Sequence, residues 1–181
     1  MNNFKLIAFI VLLSGCSSES SQIKFESLLD SEWSKIVNDN PVYASSMGDL
    51  SQNTEWSDTS VENIYTEHQH QLDVLNILDG LDASDFTEDN KVNYLLFKQQ
   101  YENSIESHTY KTFLIPFSHR GGIQLQHETT SIVPLRNKQH YLDWIERISK
   151  IDILVDAAIE KAKIGIAEEI VPPRFLMQKV Y

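Results

Sequence analysis

One cysteine, six glycines and five prolines in 181 residues give this chain few of the devices that loop-rich folds depend on. The lone Cys16 excludes any internal disulfide. Basic residues are scarce too, 15 against 26 acidic ones, for a net charge of −11. Such a surface repels phosphate backbones, and no basic stripe interleaved with aromatics offsets it, so nucleic acid is excluded as a partner. The same charge argues against peripheral adsorption to anionic lipid. The longest apolar run, residues 6–13, falls far short of the ~20 residues that a membrane-spanning helix needs. No serine sits in a Gly-x-Ser-x-Gly elbow, so a nucleophilic triad of that kind is unsupported. Arg120-Gly121-Gly122 lacks the preceding strand and following helix of a phosphate cradle. There is no internal repeat, and the length suits one domain with a real core.

What is present begins with an address. Lys5 followed by the apolar residues 6–13 has the form of a secretory signal, and Leu13-Ser14-Gly15-Cys16 looks like a bacterial lipobox. Residues 1–15 are therefore expected to be removed, with Cys16 lipidated as the new N-terminus. Several acyl chains on one cysteine anchor stably where a single chain would not. Residues 16–22 then form the lipidated cysteine and a polar tether, and the helical domain occupies residues 23–181. By resemblance to Gram-negative lipoproteins, Ser17 in place of aspartate favours the outer membrane. The expected partner is thus the membrane, reached through Cys16, and the expected location is the cell envelope.

The rest reads as all-α, an antiparallel helical bundle or array interrupted by one long irregular loop. A first helix is expected over about residues 22–38, with Ile23, Leu28, Leu29, Trp33, Ile36 and Val37 as its apolar face and Asn40-Pro41 as its stop. A short helix follows to about Gly48. Thr59 with Glu62 three residues on has the form of a capping box. It opens a helix through Ile64, Tyr65, His68, Leu72, Leu75 and Leu78 that ends at Gly80. Thr87 caps the next, through Val92, Leu95, Leu96, Gln99 and Ile105. The short connection between them predicts antiparallel packing. Tyr141, Trp144, Ile145, Ile148, Ile151, Val155, Ala158, Ile159, Ala162 and Ile166 recur at intervals of three and four. They predict a buried stripe, with Glu146, Arg147 and Lys150 on the wet side and a break near residues 149–152. Burying a side chain such as Ile148 is worth roughly 1.5–3 kcal/mol, so this stripe is expected to anchor a core. Pro172-Pro173 restarts a helix. Phe175, Leu176, Met177 and Val180 follow without a partner, so the chain is expected to continue beyond Tyr181 in a larger helical fold.

The histidines supply no complete metal site. His127-Glu128-Thr129-Thr130-Ser131 begins like the zinc motif His-Glu-x-x-His, but Ser131 stands where the second imidazole must be. Two β-branched threonines also disfavour an α-helix there. His68 and His70, two apart on a helix, point away from each other, with His68 expected at the edge of the apolar face. His108, His119 and His140 have no partners at a recognisable spacing.

Several motifs nonetheless fall in a characteristic order: Asn40-Pro41 with Met47-Gly48-Asp49, DNKVNYLLF over residues 89–97, YLDWIER over 141–147, then Gly165-Ile166 and Val171-Pro172-Pro173. In this order the chain, from about Ile23 to Tyr181, resembles the N-terminal portion of the bacterial lipoproteins grouped as domain of unknown function 885. Glu169 departs from the pattern, since a glycine is expected in the connection before the double proline. The resemblance implies a helical, zinc-metallopeptidase-like protein whose His-Glu-x-x-His helix lies downstream. Zinc is implied for full-length relatives and for no residue of this chain, which is expected to be inactive alone. It further implies that the irregular segment over residues 113–136 could line a peptide-substrate cleft, with Arg120, Gln124 and Gln126 as contacts. The alternative is a free-standing helical envelope lipoprotein acting as a binding module.

Overall fold

The computed structural model describes residues 20–118 and 121–180. Among them are seven α-helices: α1 Ser21–Asp39, α2 Pro41–Met47, α3 Val61–Asp79, α4 Glu88–Thr109, α5 Lys138–Ser149, α6 Asp152–Ala167 and α7 Arg174–Met177. The extended pairing described is a single antiparallel bridge, Ser118 to Gly121. The fold is all-α, as expected. No helix among the described residues is long and apolar enough to cross a membrane. The signal segment and Cys16 lie outside the described residues.

Punctuation accounts for most helix boundaries. Asn40 ends α1, and Pro41 opens α2 at the first helical position, where its missing N–H costs nothing. Gly48 closes α2 in the left-handed region at φ 97°, which suits a residue without Cβ. The cap of α3 corrects the expectation. Ser60, not Thr59, accepts the Asn63 amide, so the capping box is off by one residue and Glu62 lies in the first turn. Thr87 caps α4 through the Asn90 amide as predicted. The break between α5 and α6 also falls where the sequence places it, at Lys150 and Ile151.

The core sits where α1, α3 and α4 meet. Phe25 and Leu28 of α1, Val74 and Leu78 of α3, Tyr101 of α4 and Phe86 of the α3–α4 connection are all buried. Phe25 stacks on Phe86 at 5.4 Å and meets Tyr94 edge-on at 5.7 Å, and Phe97 meets Tyr101 at 4.9 Å. The antiparallel packing of α3 and α4 is visible at both ends. Tyr94 Oη donates to Leu78 O at 3.1 Å, while Tyr65 near the start of α3 touches His108 near the end of α4.

Three predicted faces need correction, two of them in part. On α1, Leu28 is buried and Leu29 packs against the core as predicted, but Ile23, Trp33 and Ile36 are exposed and the buried stripe runs through Phe25, Leu28 and Glu32. On α4, Val92, Leu95 and Leu96 are exposed, and the core takes Tyr94, Phe97 and Tyr101. Aromatic rings bury more area per residue than the aliphatics beside them, and they decide which way α4 turns. The α5–α6 stripe holds only in part: Ala158 is buried and Trp144, Ile151, Val155 and Ala162 are half-buried. Ile145 is 63% exposed, Tyr141, Ile148, Ile159 and Ile166 are also exposed, and Arg147 is 0% exposed. Its Nη2 donates to Ser45 Oγ at 2.9 Å and to the carbonyl of Gln52 at 3.1 Å. Trp56 lies 5.8 Å from the guanidinium and donates its indole N–H to Arg147 O at 2.7 Å. Arg147 therefore ties α5 to α2 and the loop that follows it, a role that apolar spacing cannot reveal.

The irregular segment after α4 is more ordered than expected. It holds 3₁₀ turns at Thr112–Leu114 and Ile123–Ser131, whose i to i+3 bonding tolerates residues that disfavour an α-helix. The first turn crosses α6 so closely at Gly165 that a Cβ there would lie 2.7 Å from Leu114 O and 2.8 Å from Ile170 O.

Candidate functional site

A cleft of about 860 Å³ lies between α3 and α4, with Lys161 of α6 and the α1–α2 junction completing its lining. The aromatic stripe of α4 is committed to the core, which presents a different stripe to the cleft. Gln99, Asn103 and Ser107 stand at four-residue intervals beside Gln100 and Ser104. From α3 come Asn63, Glu67 and Gln71, again four apart. The cleft is thus lined largely by side-chain amides and hydroxyls, joined by Asp39, Asp58 and Glu67.

Its cations are held in place. Lys161 Nζ donates to Thr59 O at 2.8 Å, and burial pulls its ammonium below the usual lysine range against the opposing effect of Asp58. Lys35 bonds both Asp39 and Glu67. Burial opposes its charge, but the two carboxylates outweigh burial and raise its pKa, while the bond to Lys35 lowers that of Asp39. A side pocket of about 140 Å³ shares Asp39, Glu67, Gln71, Gln100 and Ser104 with the cleft. At its back Glu32, 5% exposed, accepts from Tyr101 Oη at 2.6 Å and meets His70 Nε2 at 2.8 Å. Burial, then the bond to Glu32, push the Tyr101 phenol well above its ordinary range, so it stays a donor.

An aromatic cluster closes the end of the cleft nearest the α4 terminus. His68 and His108 stack with centroids 3.7 Å apart at 7°. Phe113 stacks on His108 at 5.1 Å, and Tyr65 meets His108 edge-on at 5.3 Å. His108 and Phe113 both line the cleft. Forty residues separate the two imidazoles, so no spacing rule could have paired them.

A family described as "Bacterial protein of unknown function (DUF885)" matches residues 41–181, most of the chain. This chain belongs to the DUF885 family. No curated protein matches it. The DUF885 match begins at Pro41, later than the Ile23 expected from motif order, and leaves α1 with its Glu32 outside. The position where DUF885 members are expected to carry glycine is informative. Glu169 sits at φ 60°, so this member holds a glutamate in the left-handed conformation that glycine adopts without strain.

Zinc, implied for full-length DUF885 relatives, finds no fitting donor set among the described residues. No group of three or more His, Cys, Asp or Glu side chains is placed to hold a metal. His127 is exposed, with Nδ1 3.2 Å from Gln124 O, and Ser131 Oγ donates to Glu128 O. His70 turns to Glu32 and His68 to His108. Of the anticipated cleft contacts, Arg120 lies outside the described residues. Gln124 Nε2 donates to Ser118 O at 2.7 Å and Gly121 O at 3.1 Å, bracing its own turn. Gln126 Oε1 accepts from Thr129 Oγ1 at 3.3 Å. Neither glutamine lines the α3–α4 cleft. Apolar periodicity does not point to the residues that do. The usable signal was polar, amides and hydroxyls repeating every four residues along α4.

Proposed function

We propose that this chain is the N-terminal, substrate-holding region of a lipid-anchored, peptidase-like envelope protein, and that its α3–α4 cleft takes an extended polypeptide. The lining of the cleft carries the reading. Peptide groups alternate donors and acceptors, and an Asn or Gln amide offers both from one planar group. Such amides fixed at i, i+4 on facing helices match a main chain without selecting its side chains. Asp39, Asp58 and Glu67 bias the cleft towards neutral or basic peptides and away from phosphate-bearing ligands. Lipidation at Cys16 would attach the tether to the start of α1. The 19 residues of that helix hold its far end, Asp39 at the cleft, about 28 Å away. Hydrolytic chemistry is assigned to no residue here; any zinc step belongs to the downstream motif that the family resemblance implies.

Two measurements test this. Radiolabelled palmitate should mark the wild-type chain in a Gram-negative host and fail to mark Cys16→Ser; an unlabelled wild type removes the anchor. A fluorescein-labelled, unstructured, lysine-containing peptide should bind the full chain saturably. Replacing Gln100 and Asn103 by leucine should weaken it about tenfold, the equivalent of two amide hydrogen bonds near 0.7 kcal/mol each. Undiminished binding to that variant removes the cleft. The alternative, a free-standing binding module, is favoured by an apolar groove of about 210 Å³ that includes Leu114, Pro116, Phe117, Ile166 and Pro172. The mass of the native protein in membrane fractions separates the two readings: several times 20.8 kDa supports the first, and about 20 kDa the second.

A further inference from the structure

We propose that the stacked His68–His108 pair is an acid-released latch on the cleft wall. It is closed while both imidazoles are neutral. Protonation of either ring frees the end of α4 and the Thr112–Leu114 turn. The consequence for ligand binding rests on the cleft reading above; the latch itself does not.

Three observations converge on this pair. The rings lie face to face at 3.7 Å, so a second proton would place two like charges at van der Waals separation. His68 Nδ1 is buried with no hydrogen-bond partner. A neutral imidazole can leave that nitrogen as a bare acceptor, whereas an imidazolium must bury an unpaired donor. The stack is also the fastening itself. His68 and Tyr65 belong to α3, His108 to the last turn of α4 and Phe113 to the following turn, and their rings form one continuous cluster.

The charged groups on the surrounding elements are engaged elsewhere. On α3, Glu67 is bound by Lys35. Near the end of α4, Glu106 takes the Tyr110 hydroxyl at 3.5 Å, and Lys111 pairs with Glu168. On α6, Lys161 donates to Thr59 O. His70, about half a turn along α3 from His68, is turned to Glu32. No carboxylate bonds either stacked ring, so nothing local repays protonation. Consistent with that geometry, burial and then the neighbouring His68 hold His108 below the usual imidazole range. Because His108, Thr112 and Phe113 all line the cleft, release of the stack changes the cleft wall directly.

Hydrogen exchange on the full chain in detergent tests the latch without any ligand. Intrinsic exchange rates are corrected, and samples are compared at about pH 7.5 and about pH 5.5, on either side of the ordinary imidazole value near 6.5. Backbone exchange over residues 105–115 is expected to rise several-fold at the lower pH, because a released imidazole with the ordinary value near 6.5 is mostly protonated there while the stacked pair resists the proton. The buried α3 segment around Val74 and Leu78 should not change. His108→Phe keeps a stackable ring that cannot protonate and should diminish the response to what His68 alone supports. If that variant fails to fold, His68→Phe serves the same purpose. Unchanged exchange in the wild type, an undiminished response in the folded variant, or an equal response throughout the chain would each overturn the latch. If the local response appears but the labelled peptide binds at neither pH, the latch stands and the cleft assignment fails.

Discussion

Arg147 and Glu32 show how much single polar residues decide in this protein. Both continue a buried stripe that apolar spacing would have ended, and each is kept there by specific partners. Glu32 has Tyr101 and His70, while Arg147 has the Ser45 hydroxyl and the carbonyls of Gln52 and Pro41. Burial pushes the Arg147 pKa down, with Glu55 and Asp143 acting against it. Its Nε and Nη1 are buried without a described partner, and Nη2 at the tip makes all three bonds. Arg147→Lys is expected to lose about 3 kcal/mol, close to the cost of Arg147→Ala, because the shorter ammonium stops short of the hydroxyl and two carbonyls that Nη2 reaches and gives up the guanidinium face over Trp56. Urea denaturation of the two variants checks this. A lysine variant within about 1 kcal/mol of wild type would mean that charge alone, not the reach of the guanidinium, holds the site.

At the scale of elements, helix existence follows from local chemistry and helix orientation does not. Pro41, Gly48, Thr87 and Gly80 mark boundaries that any neighbour would respect. The start of α3 shows the limit of that reasoning. Thr59 and Ser60 both carry hydroxyls, and only the backbone geometry shows that Ser60 takes the Asn63 amide. Ser60→Ala should therefore cost about 1 kcal/mol, while Thr59→Ala should cost a few tenths. Thermal melts of the two variants decide it, and an inverted order would move the cap back to Thr59. Orientation is a competition among faces. Apolar residues surround α4, so spacing offers several stripes, and Tyr94, Phe97 and Tyr101 prevail because Phe25 and Phe86 are there to receive them. That choice also leaves Gln99, Gln100 and Asn103 facing the cleft.

For the whole molecule, the acidic balance sets how stability responds to pH. The bond to Lys35 lowers Asp39, that to Lys150 lowers Glu55, and those to Asn53 and Gln139 lower Asp143. With folded pKa values below the ordinary 3.8 and 4.5, the native state binds fewer protons than the unfolded chain through that range. Their contribution is complete above the ordinary values and is lost as pH falls below them. His108, lowered from 6.5, adds an earlier and smaller loss that begins below that value. Melting temperature should thus decline in two stages on acidification, with the first stage smaller in His108→Phe. A constant melting temperature down to about pH 3 would contradict both assignments. The amino-acid sequence by itself determined the all-α class, most helix limits and the family, because capping and the geometry of proline and glycine are local properties and motif order is read along the chain. Only the tertiary structure decided which faces are buried, why Arg147 and Glu32 are inside, and which residues meet at the cleft. Those outcomes depend on partners 38 to 102 residues away, such as His70 for Glu32 and Ser45 for Arg147, and a periodicity within one helix contains no information about them.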